Sequence, residues 1–119
     1  MEYTDKQKAI METDPEWRPR RERIVCADGF SMSVQASVYA YCSPRINDAE
    51  YYTAVEVGYP SEQEELLMPH IEGYAKEGPT EDVYPWTPST VVMNVILAHG
   101  GMVSGDLPPL GLNKGDDEE

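Results

Sequence analysis

Apolar and polar residues alternate strictly from Phe30 to Ser37: Phe30, Met32, Val34 and Ala36 fall on one side, Ser31, Ser33, Gln35 and Ser37 on the other. A period of two belongs to a β-strand with one face against a core. Just before it, Arg23 to Ala27 carries the apolar run of a first strand, and Asp28-Gly29 is the dipeptide that a two-residue type I′ hairpin turn prefers. Residues 51–57, YYTAVEV, are β-branched and aromatic and predict a third strand, ended by Gly58 and Pro60. Helical signals flank these strands. Thr4 caps a short helix over residues 4–12, which Pro15 ends. Ser61 and Glu64 form a capping-box pattern that predicts a helix through Leu66 and Leu67, stopping or kinking at Pro69 and able to resume as far as Tyr74. Residues 79–86 read as a rigid connector, and Thr87 with Pro88 starts a second helix over 88–99, closed by His99 and Gly100. That helix is apolar nearly all round, so it is expected to be buried, in its own core or against another copy in a homodimer. The fold class these signals predict is α+β: a small antiparallel sheet of about three strands, with its hairpin at Asp28-Gly29, packed against two helices. The expected organisation is an N-terminal helix and basic arm (1–21), a compact domain (22–103) and a flexible acidic tail (104–119).

Charge adds an asymmetry that the hydrophobic pattern does not show. The 119 residues carry a formal charge of -13. Residues 1–45 are balanced, seven basic groups against seven acidic, whereas residues 46–119 hold fifteen Asp and Glu against Lys76 and Lys114. Such a field repels nucleic acid and anionic membrane and attracts basic surfaces, which are commonest on nucleic-acid-handling proteins; it also serves simply to keep a small protein soluble. No apolar run approaches the roughly 20 residues of a membrane span, and the first residues, MEYTDKQKAI, lack the apolar region of a signal peptide, so a cytoplasmic location is expected.

Candidate chemistry is sparse. Cys26, Cys42, His70 and His99 are a formal Cys2His2 set, but no two lie in the close pairs that zinc sites use. Cys26 reads as a buried thiol and His99 as a helix C-cap. Nucleophile elbow, phosphate loop and dinucleotide fingerprint are all missing from the sequence, so neither a catalytic residue nor a cofactor is expected. Fifteen residues from Phe30 to Pro44 carry no charge, which makes Ser31, Ser33, Gln35 and Ser37, with Tyr39, Tyr41 and Arg45, a candidate ligand or partner face; the plain alternative is the solvated outside of a sheet. Arg18, Arg20, Arg21 and Arg23 either grip an anion or strap the arm to the chain's own acidic half, and the many carboxylates available favour the strap.

The block Asp28-Gly29-Phe30-Ser31-Met32-Ser33-Val34-Gln35-Ala36-Ser37, then Tyr41-Cys42-Ser43-Pro44-Arg45 and Val55-Glu56-Val57-Gly58-Tyr59-Pro60-Ser61, resembles small proteins encoded by tailed bacteriophages and prophages. The likeness covers residues 22–101 and implies context but no active site: phage accessory genes of this size often encode acidic, stoichiometric inhibitors of host defence. The expectation that follows is a non-enzymatic inhibitor of a host complex with a basic nucleic-acid-binding surface, such as a CRISPR effector. On it, Glu50, Glu56, Glu62, Glu64, Glu65, Glu72, Glu77, Glu81 and Asp82 would stand in for phosphates. The alternatives are a sponge for a small nucleotide signal, with the serine ladder, Tyr39, Tyr41 and Arg45 lining its pocket, and a virion or assembly protein.

Overall fold

The computed structural model describes residues 2–73 and 78–112. It is an α+β fold in which a five-stranded antiparallel sheet, ordered β4-β3-β2-β1-β5, is accompanied by two helices. Strands β1 (Ile24–Cys26) and β2 (Ser31–Gln35) form the expected hairpin, in the register Ile24 to Met32 and Val25 to Ser31. Its turn differs from the type I′ expectation. That turn requires positive φ at both central residues, yet only Gly29 has it, at 97°. Asp28 instead turns its carboxylate back to accept from the Phe30 N–H at 2.9 Å, and the loop widens to Ala27-Asp28-Gly29 with Cys26 and Phe30 paired across it.

Alternation on β2 places Met32 and Val34 in the core with Ile24, Cys26 and Phe30, all at most 3% exposed. Strand β3 (Ala54–Gly58) adds Val55 and Val57 to the same face, and its partner β4 (Val83–Pro88) adds Tyr84. The segment read as a connector is therefore an edge strand. It tolerates Pro85 and Pro88 because an outer strand bonds on one side only. Between Val55 and Val57 the register shifts so that Pro85 and Trp86 together oppose Glu56, with Trp86 at a φ of 49°. Helix α1 (Asp5–Thr13) is capped by Thr4 and Gln7 in a reciprocal capping box. Helix α2 (Ser89–Ala98) presents Val92, Val95 and Ile96 to the core, each contributing about 1.5–3 kcal/mol by burial. Its start lies one residue past expectation: Thr87 is buried and donates to the Tyr84 carbonyl, while the Ser89 hydroxyl donates to the Tyr52 carbonyl at 2.6 Å.

The helix expected after Ser61 does not form over the described residues. Turns and a short 3-10 segment at Met68–His70 take its place. Both capping groups are engaged elsewhere: Ser61 accepts from the Ser31 N–H through its hydroxyl, and the Glu64 carboxylate binds His99. Hence the second helix of the fold is α1, and the loop from Pro60 reaches the core through Leu67.

Residues beyond α2 are more ordered than a tail. Met102–Ser104 is β5, paired with β1, so the boundary expected at 103/104 falls inside a strand. Leu107 and Leu110 pack against the core, and Tyr52 bonds with Pro109 and Gly111 in a parallel bridge. Residues 113–119 lie outside the described residues. Among the described residues no helix is long and apolar enough to cross a membrane.

Gly105 is where the chain leaves β5 and passes over β1. Its φ is 112°, and a Cβ there would fall 2.7 Å from the Ile24 Cα and closer still to the Arg23 carbonyl. Gly105→Ala is expected to lower the melting temperature by about 5–15 °C. An unchanged melting curve would mean that this crossing is not tight in solution.

Candidate functional site

The polar side of β2 is not solvated. Ser33 and Gln35 are each 8% exposed, although they lie opposite the core face. What covers them is the arm that follows α1. After a turn at Pro15, closed by the Trp17 N–H on the Asp14 carbonyl, Pro19 keeps the chain extended, and it crosses the strand as far as Arg23. The Arg21 N–H donates to Gln35 Oε1 at 2.9 Å, and Gln35 Nε2 donates to the Arg21 carbonyl at 2.9 Å and to Ser33 Oγ at 3.0 Å. One side-chain amide thus reproduces the pairing of a β-bridge. Arg23 donates to Ser31 Oγ at 2.8 Å and to the Tyr59 carbonyl, and Arg20 reaches Ser33 Oγ at 3.4 Å.

Two of the arm's cations find carboxylates from the acidic half of the sequence. Arg18 pairs with Asp48 at 3.1 Å and also donates to the Pro15 and Trp17 carbonyls; Arg21 pairs with Asp106 at 3.3 Å. The strap expected for the arginine cluster is therefore present, with hydroxyls and carbonyls sharing the task. Asn47 fastens its far end, donating to the Glu16 carbonyl at 2.7 Å and accepting from the Val38 N–H. Between arm and sheet lies a cleft of about 280 Å³, lined by Tyr3, Trp17, Arg20, Gln35, Tyr39 and Glu56 among others.

The seven residues expected to make one polar face are divided among three places. Ser31, Ser33 and Gln35 lie beneath the arm, and Ser37 with Tyr39 sits at the cleft, where the Tyr39 hydroxyl donates to Asp14. Tyr41 and Arg45 belong to a separate stack: the Tyr41 ring is 5.1 Å from that of Trp86, and the Arg45 guanidinium lies 5.1 Å from the Tyr41 centroid. The carboxylates divide as well. Glu50, Glu62, Glu65, Glu72 and Glu81 are exposed and make no ion pair among the described residues; Asp82 is half-buried and accepts from the Val83 N–H; Glu56 lines the cleft; Glu77 lies outside the described residues.

A constellation that the linear order conceals joins the hairpin, the loop after β3 and the end of α2. His99 is the C-cap of α2, and its ring stacks on Phe30 with centroids 4.1 Å apart. Its Nδ1 meets Asp28 at 2.7 Å and its Nε2 meets Glu64 at 2.6 Å. A carboxylate at each nitrogen favours the imidazolium form: the His99 pKa is raised, first by the bond to Glu64 and further by Asp28, against the lowering effect of burial. Asp28 is held below its ordinary value by the Phe30 N–H first and by His99 second. Neither ring nitrogen is left to accept a proton from a nucleophile, so the arrangement acts as a clasp. The thiols of Cys26 and Cys42 are buried, and burial pushes both pKa values up, which disfavours the thiolate. Among the described residues no group of three potential metal ligands is arranged to hold an ion.

Comparison with known proteins returned no matching family model, no matching curated protein and no matching solved structure.

Because the folded pKa of His99 is raised, its contribution to stability is fully present below the unfolded value of about 6.5 and is lost as pH rises through the folded value. Asp28 behaves oppositely, its contribution being lost as pH falls through its depressed value. The excess melting temperature of the parent chain over a His99→Gln variant should be largest near about pH 6 and shrink toward about pH 9. A difference that does not vary with pH would refute the charged clasp.

Proposed function

We propose that this chain is a non-catalytic, phage-encoded binding protein that inhibits a host defence or nucleic-acid-handling complex, such as a CRISPR effector, in the host cytoplasm. Its acidic surface occupies a basic groove in place of nucleic acid. The observation that supports this reading is that two of the arm's cations are paired within the molecule. Arg18 and Arg21 are neutralised by Asp48 and Asp106, and Arg23 is turned onto Ser31 and Tyr59. Exposed Glu50, Glu62, Glu65, Glu72 and Glu81 are left without matching cations among the described residues. A face of this kind speeds association with a basic partner and repels anionic competitors. Glu64 and Asp82 contribute to the field at shorter reach, since the first is tied to His99 and the second is half-buried.

The reading is tested by recovering tagged protein with its partners from bacterial lysate at low and high salt, identifying them by mass spectrometry, and measuring association with the recovered partner. Capture of a nucleic-acid-handling complex that is released as salt rises is expected. Replacing Glu62, Glu65, Glu72 and Glu81 together by Gln should slow association by about tenfold or more. Binding that is indifferent both to salt and to these substitutions would remove the mimicry mechanism.

A further inference from the structure

The cleft beneath the arm gathers groups that the acidic face does not use. Tyr3, Trp17 and Tyr39 supply aromatic walls. Two of its charged groups have no ion-pair partner among the described residues. Arg20 is exposed and donates a single long bond, to Ser33 Oγ at 3.4 Å. Glu56 accepts from the Tyr41 N–H at 2.9 Å through Oε1, which leaves Oε2 and a further lone pair unused. The remaining ions of the lining are matched, Arg18 with Asp48 and Arg21 with Asp106. A ligand entering here therefore meets one guanidinium and one carboxylate with valence to spare.

Sheet register places their anchors. Gln35 lies opposite Glu56, and Ser33, which the Arg20 guanidinium reaches, lies two residues along β2. The backbones of Ser33 and Glu56 are thus diagonal neighbours, about 7–8 Å apart, and the guanidinium and the carboxylate come to the cleft from different segments. A ligand that answers both needs an anionic group, N–H donors on another edge and a flat ring for the aromatic walls. Guanine offers two adjacent donors, its ring N–H and its exocyclic amine, which match the two oxygens of a carboxylate. Adenine presents a ring acceptor at the corresponding place, which a carboxylate repels. The cleft's volume, about 280 Å³, lies just below the roughly 300–1,000 Å³ of ligand pockets, so it has room for one nucleotide at most. The chain's charge of -13 works against a polyanion; in the cleft three arginines face three carboxylates, Asp48, Glu56 and Asp106, and with two of the pairs closed Arg20 is the cation left for a single phosphate group.

We propose that the cleft binds a guanine mononucleotide. Glu56 accepts from the base edge, Trp17 and Tyr39 flank the ring, and Arg20 holds the phosphate. This site is separate from the acidic docking surface, and either assignment stands if the other fails.

The test uses the tryptophan in the cleft. The chain has two tryptophans, so Trp86→Phe leaves Trp17 as the only one, and its fluorescence is titrated with GMP, AMP and guanosine. Saturable quenching by GMP is expected, with AMP and guanosine weaker by about tenfold or more. Glu56→Gln keeps a carbonyl for the Tyr41 N–H and should abolish the preference for GMP over AMP; Arg20→Ala should abolish the preference for GMP over guanosine. A GMP-dependent rise in the melting temperature of the unsubstituted chain provides the same test without any substitution. Absence of both quenching and thermal shift up to about 1 mM GMP would overturn the proposal, as would base and phosphate preferences that survive both substitutions.

Discussion

A buried side-chain amide without partners costs about 1–3 kcal/mol, and the way Gln35 avoids that cost organises much of this molecule. It sits on the side of β2 that faces away from the core, 8% exposed, with its oxygen accepting from the Arg21 N–H and its nitrogen donating to the Arg21 carbonyl. The arm supplies what a neighbouring strand would otherwise supply, and it does so over hydroxyls and an amide that need hydrogen bonds more than apolar cover. The sheet is thereby covered on two sides by different means: α2 packs apolar side chains on one, and the arm lays backbone and arginine on the other.

The arm also uses up cationic charge. Arg18 and Arg21, paired with Asp48 and Asp106, no longer offset the carboxylates at Glu62, Glu65, Glu72 and Glu81. The proposed docking face and the proposed binding cleft thus share one placement, since the segment that pairs Arg18 and Arg21 also borders the space between Trp17, Tyr39 and Glu56. His99 performs a related task at the opposite end of β2, drawing the hairpin and the loop after β3 together through Asp28 and Glu64.

Local signals were legible where each residue had a single use. The alternation from Phe30 to Ala36 identifies the core face of β2, and Thr4 with Gln7 caps α1 as a capping pattern should. Ser61 and Glu64 show the same pattern with another outcome, because a hydroxyl and a carboxylate serve a sheet edge or a histidine as readily as a helix start, and sequence does not reveal which partner is nearby. Strand β5 was hidden because Met102–Ser104 is three residues between glycines and gains its structure from β1. The alternation puts Ser31, Ser33 and Gln35 opposite the core, but what covers them lies eight to fourteen residues upstream in a Pro- and Arg-rich segment without periodicity. The cleft and the His99 clasp depend on such long-range placement and leave no mark in the linear pattern.

The account rests on the arm being docked in solution, and amide hydrogen exchange at Arg21 tests this most directly. Its N–H donates to Gln35, so it should be protected to a degree comparable with the central β2 amides such as Val34. Exchange of Arg21 at the rate of an unstructured chain, with Val34 still protected, would contradict the account: the polar face of β2 would be open, the arginines free to offset the acidic surface, and the cleft without its roof.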